Sequence, residues 1–263
     1  MHKFMICFNE QNNKSREYAG LLMEAFASFM QYDPAHPDLV ISVGGDRTML
    51  DTIQAYVGQI ETTYFVGLHT GNLGFYSDYK EDEWERLVED VKYHHYEIAR
   101  RNLLEVCVNG TSSQKYLALN EIRLEQNRHT LVLDVLINGE HLERFRGNGL
   151  CVSTPAGSTA YNRALGGSIV SCSIRSLQLA EIAGIHHNAY RSLENSLVLD
   201  DQTTITLIPV GQNQAVLGVD RLSFEMQHLH SLTVRVADCD AMFLRHPHFS
   251  LTQRLKKAFI SEK

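Results

Sequence analysis

A strand that runs directly into a glycine turn and then a helix is the feature that most limits what this chain can be. Leu39 to Val43 is an apolar run rich in β-branched residues (Val40, Ile41, Val43), and Gly44-Gly45-Asp46 follows without a spacer. Two glycines let the backbone turn tightly and leave its N–H groups open. Thr48 to Tyr56 then reads as a helix. Open amides between a strand end and a helix start make a cradle for phosphate. Asp46 does not suit that purpose, because a carboxylate repels phosphate. Either it takes a proton or holds a metal, or it caps the helix.

The bulk of the sequence sets limits on partners. At 263 residues the chain holds one large domain or two modest ones. A net charge of −7 argues against a protein that grips nucleic acid through its phosphates. No apolar run approaches the roughly 20 residues that cross a bilayer. The opening MHKFMICFNEQ lacks the apolar stretch and small-residue cleavage site of a secretory signal. Five scattered cysteines (Cys7, Cys107, Cys151, Cys172, Cys239), with no CxxC, read as small core residues of a reducing compartment. The expected location is cytoplasmic, with no membrane or nucleic-acid partner.

Two grammars divide the chain. Up to residue 99, strands (Lys3–Phe8, Leu39–Val43, Tyr64–Leu68) alternate with amphipathic helices (Ser15–Met30, Thr48–Tyr56, Glu81–Val91). Such alternation implies a parallel sheet with helices on both faces. From residue 100 to 244 the pattern turns to short β segments: Leu103–Val108, Tyr116–Leu119, Thr130–Ile137, Leu150–Ser153, Thr203–Ile208, Ala215–Val219 and Leu232–Val236. Turn signals lie between them at Asn109-Gly110, Asn138-Gly139 and Asp200-Asp201. Only Leu177–Ile185 and the stretch after Gly157 read as helical there. In the tail, 245–263, Leu251, Leu255, Ala258 and Phe259 are spaced for burial on a helix that returns to the first domain. The fold class expected is α/β, with a nucleotide-binding α/β domain followed by a β-rich one.

Three further segments add to the glycine turn. GLHTGNLGFYSD (Gly67–Asp78) follows a buried strand at the carboxyl edge of the presumed sheet, where ligands bind in such folds. Asn120-Glu121 pairs an amide with a carboxylate, a set that could receive the two hydroxyls of a ribose, though alone it reads by default as a surface turn. RFRGNGLCVSTPAGSTAYNRALGG (Arg144–Gly167) packs Gly, Ser and Thr between apolar runs, as a loop opening a helix against a nucleotide does.

Together these segments resemble the NAD kinase family, and more closely its compact Gram-positive bacterial type. The family's GGDGT stands here as GGDRT (Gly44–Thr48), HTGHLGFY as HTGNLGFY (His69–Tyr76), ALNE intact at Ala118–Glu121, and TPTGSTAYN as TPAGSTAYN (Thr154–Asn162). The resemblance spans nearly the whole chain in the right order. It implies an α/β domain followed by a β-sandwich-like domain. The implied reaction is ATP-dependent phosphorylation of the 2′-hydroxyl of the adenosine ribose of NAD, giving NADP. Mg²⁺ or another divalent cation would travel with the ATP.

Residue by residue, the resemblance makes Asp46 the base and the amides of Gly44 and Gly45 the phosphate contacts. Asn120 and Glu121 would hold the adenosine part of NAD. Ala156, Thr159, Ala160, Tyr161, Asn162, Arg163 and Ala164 would line the dinucleotide pocket. Arg146 and Asn148 would lie near the nicotinamide end, in a site shared between subunits, since the family commonly forms homotetramers. Tyr76 would be a wall residue, or plain packing.

The chain also departs from its family. Arg47 replaces the small glycine of GGDG, where it either holds the phosphates of ATP or clutters the loop. Asn148 stands where the family has Asp, Ala156 has lost a hydroxyl, and Arg221 follows Asp220 where close relatives have His. These changes leave open a catalytically weakened NAD(P)-binding regulator; a lipid kinase sharing the GGD loop is the other alternative. Paired histidines such as His246/His248 lack zinc-site partners at zinc-site spacing, and His69 and Asp78 are read as shaping their loop.

Overall fold

The computed structural model describes residues 1–71, 74–109, 115–188, 191–211 and 214–260. The turn residue Gly110 and the loop residues Asn72 and Leu73 lie outside the described residues. Contacts divide the chain into two compact units, Met1–Arg100 with Ala241–Lys263, and Arg101–Asp240.

The first unit is built on strands β1 (Lys3–Phe8), β2 (Gln31–Tyr32), β3 (Leu39–Val43), β4 (Tyr64–His69) and β5 (Tyr79–Lys80). β2, β1, β3 and β4 lie side by side, all parallel, and Met242 and Phe243 pair in parallel with β4 beyond them. β3 is the centre of this sheet and all five of its residues are buried, which is why it reads as an unbroken apolar run. Helices α1 (Asn13–Ala27) and α3 (Trp84–Lys92) cover one face, with Leu22, Phe26, Leu87 and Val91 packed on Phe4, Ile41 and Val66. On the other face lies α2 (Asp46–Ala55), whose Thr52 hydroxyl donates to Ser42 Oγ of β3 at 3.3 Å. α1 starts two residues before the expected Ser15 because the Asn12 side chain accepts from the amides of Lys14 and Ser15.

The second unit is a sandwich of two sheets. Its strands are β6 (Glu97–Val108), β7 (Lys115–Ala118), β8 (Glu121–Glu125), β9 (Leu131–Ile137), β10 (Glu140–Gly147), β11 (Gly149–Ser153), β12 (Ser176–Ile182), β13 (Leu197–Asp200), β14 (Thr204–Pro209), β15 (Ala215–Val219), β16 (Leu222–Met226) and β17 (Leu232–Arg245). One sheet runs β10-β9-β14-β17, with β6 and β7 beyond; the other runs β13-β12-β11-β8-β15-β16. Their inner faces share one core, where Leu133, Phe145 and Leu207 meet Leu124, Val152 and Leu217. The Asn138-Gly139 turn adopts positive φ at both residues, 51° and 84°, as a tight hairpin between β9 and β10 demands.

Two expectations fail here. Leu177–Ile185 is not a helix but lies mostly within β12, an interior strand flanked by β11 and β13. Ser176 through Ala180 are all buried, and even the amide of Gln178 is spent on Ser168, so no polar face remains to betray a period of two. In the tail, helix α5 (Leu251–Leu255) and the π turn after it do not bury the expected apolar face: Leu251 is 37% exposed and Ala258 is exposed. The buried side chain of α5 is Arg254. α4 (Tyr161–Ala164), after Gly157, is helical but only one turn long.

Candidate functional site

In the first unit the site grows from the β3–α2 junction. Gly44 directs its amide to the Leu68 carbonyl of β4 at 2.9 Å, and a Cβ there would overlap the Thr48 side chain. Its glycine identity and its N–H therefore serve the turn, with that N–H spent on β4 in this structure. Gly45 is the N-cap of α2, provides no side-chain cap, and has open space where a side chain would stand. The capping reading of Asp46 is thereby excluded. Asp46 opens the helix, and its carboxylate points across to the 74–76 segment, accepting from Phe75 N at 2.9 and 2.8 Å and from Tyr76 N at 3.1 Å. Gly74 is glycine because any Cβ would collide with that carboxylate.

Tyr76 contributes its amide rather than its ring. The residue is 8% exposed and its ring stacks on Phe243 with centroids 5.9 Å apart, which fits the packing reading of this aromatic. His69 shapes its loop by accepting the Gly71 amide on Nδ1 at 3.2 Å, and burial pushes its pKa down. Arg47 is exposed and lines a cavity of about 500 Å³ with Glu10, Gln11, Gly45, Thr48 and Asp51. Among the described residues, no group of three His, Cys, Asp or Glu side chains could hold a metal ion unaided.

The second unit gathers the other motifs at the Glu121–Ser153 end of β8 and β11. Thr154 ties them together: its amide donates to the Asn120 carbonyl at 2.8 Å, its hydroxyl to the Leu119 carbonyl at 2.6 Å, and it accepts from Gly157 N at 3.0 Å. Gly157 lies flat on the Asn120 peptide, which a side chain would strike. Asp220, buried at the hairpin between β15 and β16 with φ of 49°, accepts the amides of Leu119, Asn120 and Glu121 at 2.8, 2.7 and 3.2 Å. Asn120 and Glu121 are thus 6% and 5% exposed, not an ordinary surface turn.

Glu121 is the unusual group of this cluster. Its Oε2 is buried with no hydrogen-bond partner, and its Oε1 lies 3.7 Å from Arg123. Burial, with the Asp220 carboxylate adding to it, raises the Glu121 pKa to about 7 against the pull of Arg123. Arg123 in turn lies over the Tyr161 ring, 5.5 Å from its centroid. Thr159, Ala160 and Tyr161 are half-buried beside this cluster, and Arg163 and Ala164 are exposed. Asn162 and Ala156 are buried: the Asn162 amide packs on Gly167 and donates to the Ser168 carbonyl at 3.5 Å, while its Oδ1 is buried without a hydrogen-bond partner.

Arg146 and Asn148 are not brought to Glu121. Asn148 adjoins Gly149, which pairs with Glu125 at the far end of β8, four residues or about 13 Å along the strand. The Arg146 carbonyl accepts Ile185 N at 2.8 Å on the same side. Sequence reasoning missed Asp220, in the second unit, and Arg254, in the first, as residues that brace the motifs of their own unit. An acidic residue in a two-residue hairpin, Asp220-Arg221, was a usable signal for the first. Nothing in the sequence pattern marks Arg254.

Comparison with known proteins finds relatives over most of the chain. Residues 119–245 match the family described as the ATP-NAD kinase C-terminal domain. The chain is 43% identical over 236 residues to the NAD kinase of Geobacillus stearothermophilus, covering 89% of this chain and 87% of the relative. It is 42% identical over 234 residues to NAD kinase 1 of Bacillus cereus, covering 88% of each. Its fold matches yeast NADH kinase complexed with NADH at a TM-score of 0.87 and 21% identity, over 100% of this chain and 89% of that one. An NAD kinase from Archaeoglobus fulgidus in complex with ATP matches at a TM-score of 0.76 and 19% identity, over 98% and 99%.

Proposed function

The chain belongs to the NAD kinase family, and from that footing we propose how its residues carry ATP-dependent phosphorylation of the 2′-hydroxyl of the adenosine ribose of NAD to give NADP. A ribose hydroxyl is a poor nucleophile until its proton leaves, and Asp46 takes that proton. Two backbone amides fix its carboxylate before substrate arrives, so no orientation has to be found during the reaction. The phosphates of the donor approach Gly45 and the first turn of α2, where the helix end carries partial positive charge. Phosphoryl transfer then needs little beyond positioning and charge neutralisation.

The observation that carries the substrate assignment is the buried, unpartnered Oε2 of Glu121. An acceptor left dry is costly, and a ribose hydroxyl that donates to it removes the cost. Asn120 beside it supplies both a donor and an acceptor for the adenosine, and Thr159, Ala160 and Tyr161 form the adjoining wall. A divalent cation fits this chain only as a companion of ATP. Hard oxygens of the triphosphate and water suit Mg²⁺, and Glu10 and Asp51, which line the cavity beside Gly45, are the carboxylates that would join them. Such a cation would neutralise charge on the transferred group. The reading extends to a cytoplasmic homotetramer, whose contacts would cover exposed apolar side chains of the second unit such as Ile174, 54% exposed, and Ile185, 42% exposed.

The test is purified protein with NAD, ATP and Mg²⁺, read out by an NADP-specific dehydrogenase. Asp46→Asn should bind NAD normally and lose roughly 10²–10⁴-fold in turnover, the usual worth of a positioned base. Near-normal turnover in that variant overturns the assignment of Asp46.

A further inference from the structure

The segment that orients Asp46 is itself held by a residue outside every motif. Arg254, on α5, is 7% exposed, and its guanidinium donates through Nη1 to the carbonyls of Gly74 and Ser77, the latter at 2.8 Å. Through Nη2 it donates to Asp78 Oδ1 at 2.7 Å. The Gly74 carbonyl and the Phe75 N–H are the two ends of one peptide group. That N–H is the donor to both oxygens of Asp46, at 2.9 and 2.8 Å. A cation, a peptide and a carboxylate therefore stand in line. Donation to a carbonyl oxygen polarises the amide and strengthens the hydrogen bond its N–H makes. A second hold comes from Phe259, whose ring packs on Phe75 with centroids 5.5 Å apart.

We propose that Arg254 is a positioning residue for phosphoryl transfer: it fixes and polarises the Gly74–Phe75 peptide that clamps the Asp46 carboxylate. The proposal rests on the reading of Asp46 as the base. A fork with several N–H groups is needed because three acceptors on the 74–78 segment are served at once. Lysine can keep the charge at this place but cannot reproduce the fork. The geometry predicts a defect in turnover and not in NAD binding, since the residues assigned to NAD belong to the other unit.

The experiment compares Arg254→Met and Arg254→Lys with the parent, measuring kcat in the NADP-coupled assay and NAD affinity by calorimetry. Arg254→Met should lose on the order of 10–100-fold in kcat, the scale of a small misplacement of a reacting group, with NAD affinity within about twofold. Arg254→Lys should fall between the two. If the Met variant does not fold, the Lys variant decides: reduced kcat at unchanged affinity supports the proposal, and unchanged kcat overturns it. Placed in an Asp46→Asn background, Arg254→Met should cost nothing further in kcat, because the group it acts through is gone. An equal loss in both backgrounds overturns the proposal in favour of a merely structural role. Full activity of Asp46→Asn alone would instead overturn the reading of Asp46, so the two failures are told apart.

Discussion

Replacing Glu121 by Gln should stabilise the substrate-free protein in alkaline solution while weakening its hold on NAD. A carboxyl moved from its ordinary 4.5 to about 7 is neutral-favouring in the fold. Its contribution to stability is complete below the ordinary value and is lost as pH rises through about 7. Above that, the native state carries about 3 kcal/mol of cost that the unfolded chain escapes. Gln cannot ionise and resembles the protonated acid in shape. Whatever its amide costs beside Arg123 is the same at every pH. The clean quantity is therefore the change between two pH values: from 5.5 to 8.5 the parent loses about 2 kcal/mol that Glu121→Gln keeps. For a chain of this size the gap in apparent Tm should move by roughly 4–8 °C in favour of the variant. Calorimetric scans of both proteins at the two pH values measure it. A gap that does not change with pH refutes the argument, because it would mean that the carboxylate is adequately solvated or paired. The same titration gives a second readout. If NAD donates to the ionised form, its affinity for the parent should rise about tenfold from pH 6 to 8, and stay flat in the variant.

Arg47→Gly restores the family's bare backbone beside Gly45, and should raise kcat or lower the KM for ATP; a clear loss of activity across ATP concentrations would mean that the guanidinium holds phosphate. Asp220→Asn removes one of the acceptors that three amides share, and should cost roughly 1–3 kcal/mol of stability while raising the KM for NAD. Thermal unfolding and steady-state kinetics check both effects, and an unchanged KM would separate Asp220 from the Asn120-Glu121 turn.

The parts of the fold legible in the sequence are those where one face is dry and the other wet. α1 and α3 carry apolar residues at helical spacing because each covers a sheet on one side only. Where both sides are dry, pattern fails. β12 reads as helical because Gln178, in its middle, is as buried as its leucines. Strands β8 and β10 were missed for the opposite reason, since Glu121, Arg123, Glu125, Arg144 and Arg146 interrupt them with charge. Those charges are functional or partnered: Arg144 donates to Asp134 at 2.7 Å, and Glu121 belongs to the candidate site. The site motifs could be read because short glycine-rich runs are dictated by close backbone approach, as at Gly74 against Asp46 and Gly157 against Asn120. The residues that brace those runs could not be read. Arg254 reaches Gly74 across 180 positions and Asp220 reaches Asn120 across 100, and a contact that distant leaves no local pattern.

Three carboxylates of the two units also differ in how much of their hydrogen-bonding capacity the protein itself uses, and this orders their roles. Asp220 receives three backbone amides and acts as a fixed brace for the turn before β8. Asp46 receives two, both from the segment Arg254 holds, which sets its direction while lone pairs remain on its oxygens for a substrate proton. Glu121 receives no backbone amide on its buried Oε2 and has a cation only at 3.7 Å from its Oε1. Of these three acids Glu121 is the one whose buried oxygen the protein leaves without a donor, which puts the cost where a ligand can recover it. On the proposed function, the strength of NAD binding would then rest on Glu121, the rate of transfer on Asp46, and neither on Asp220 except through the turn it braces.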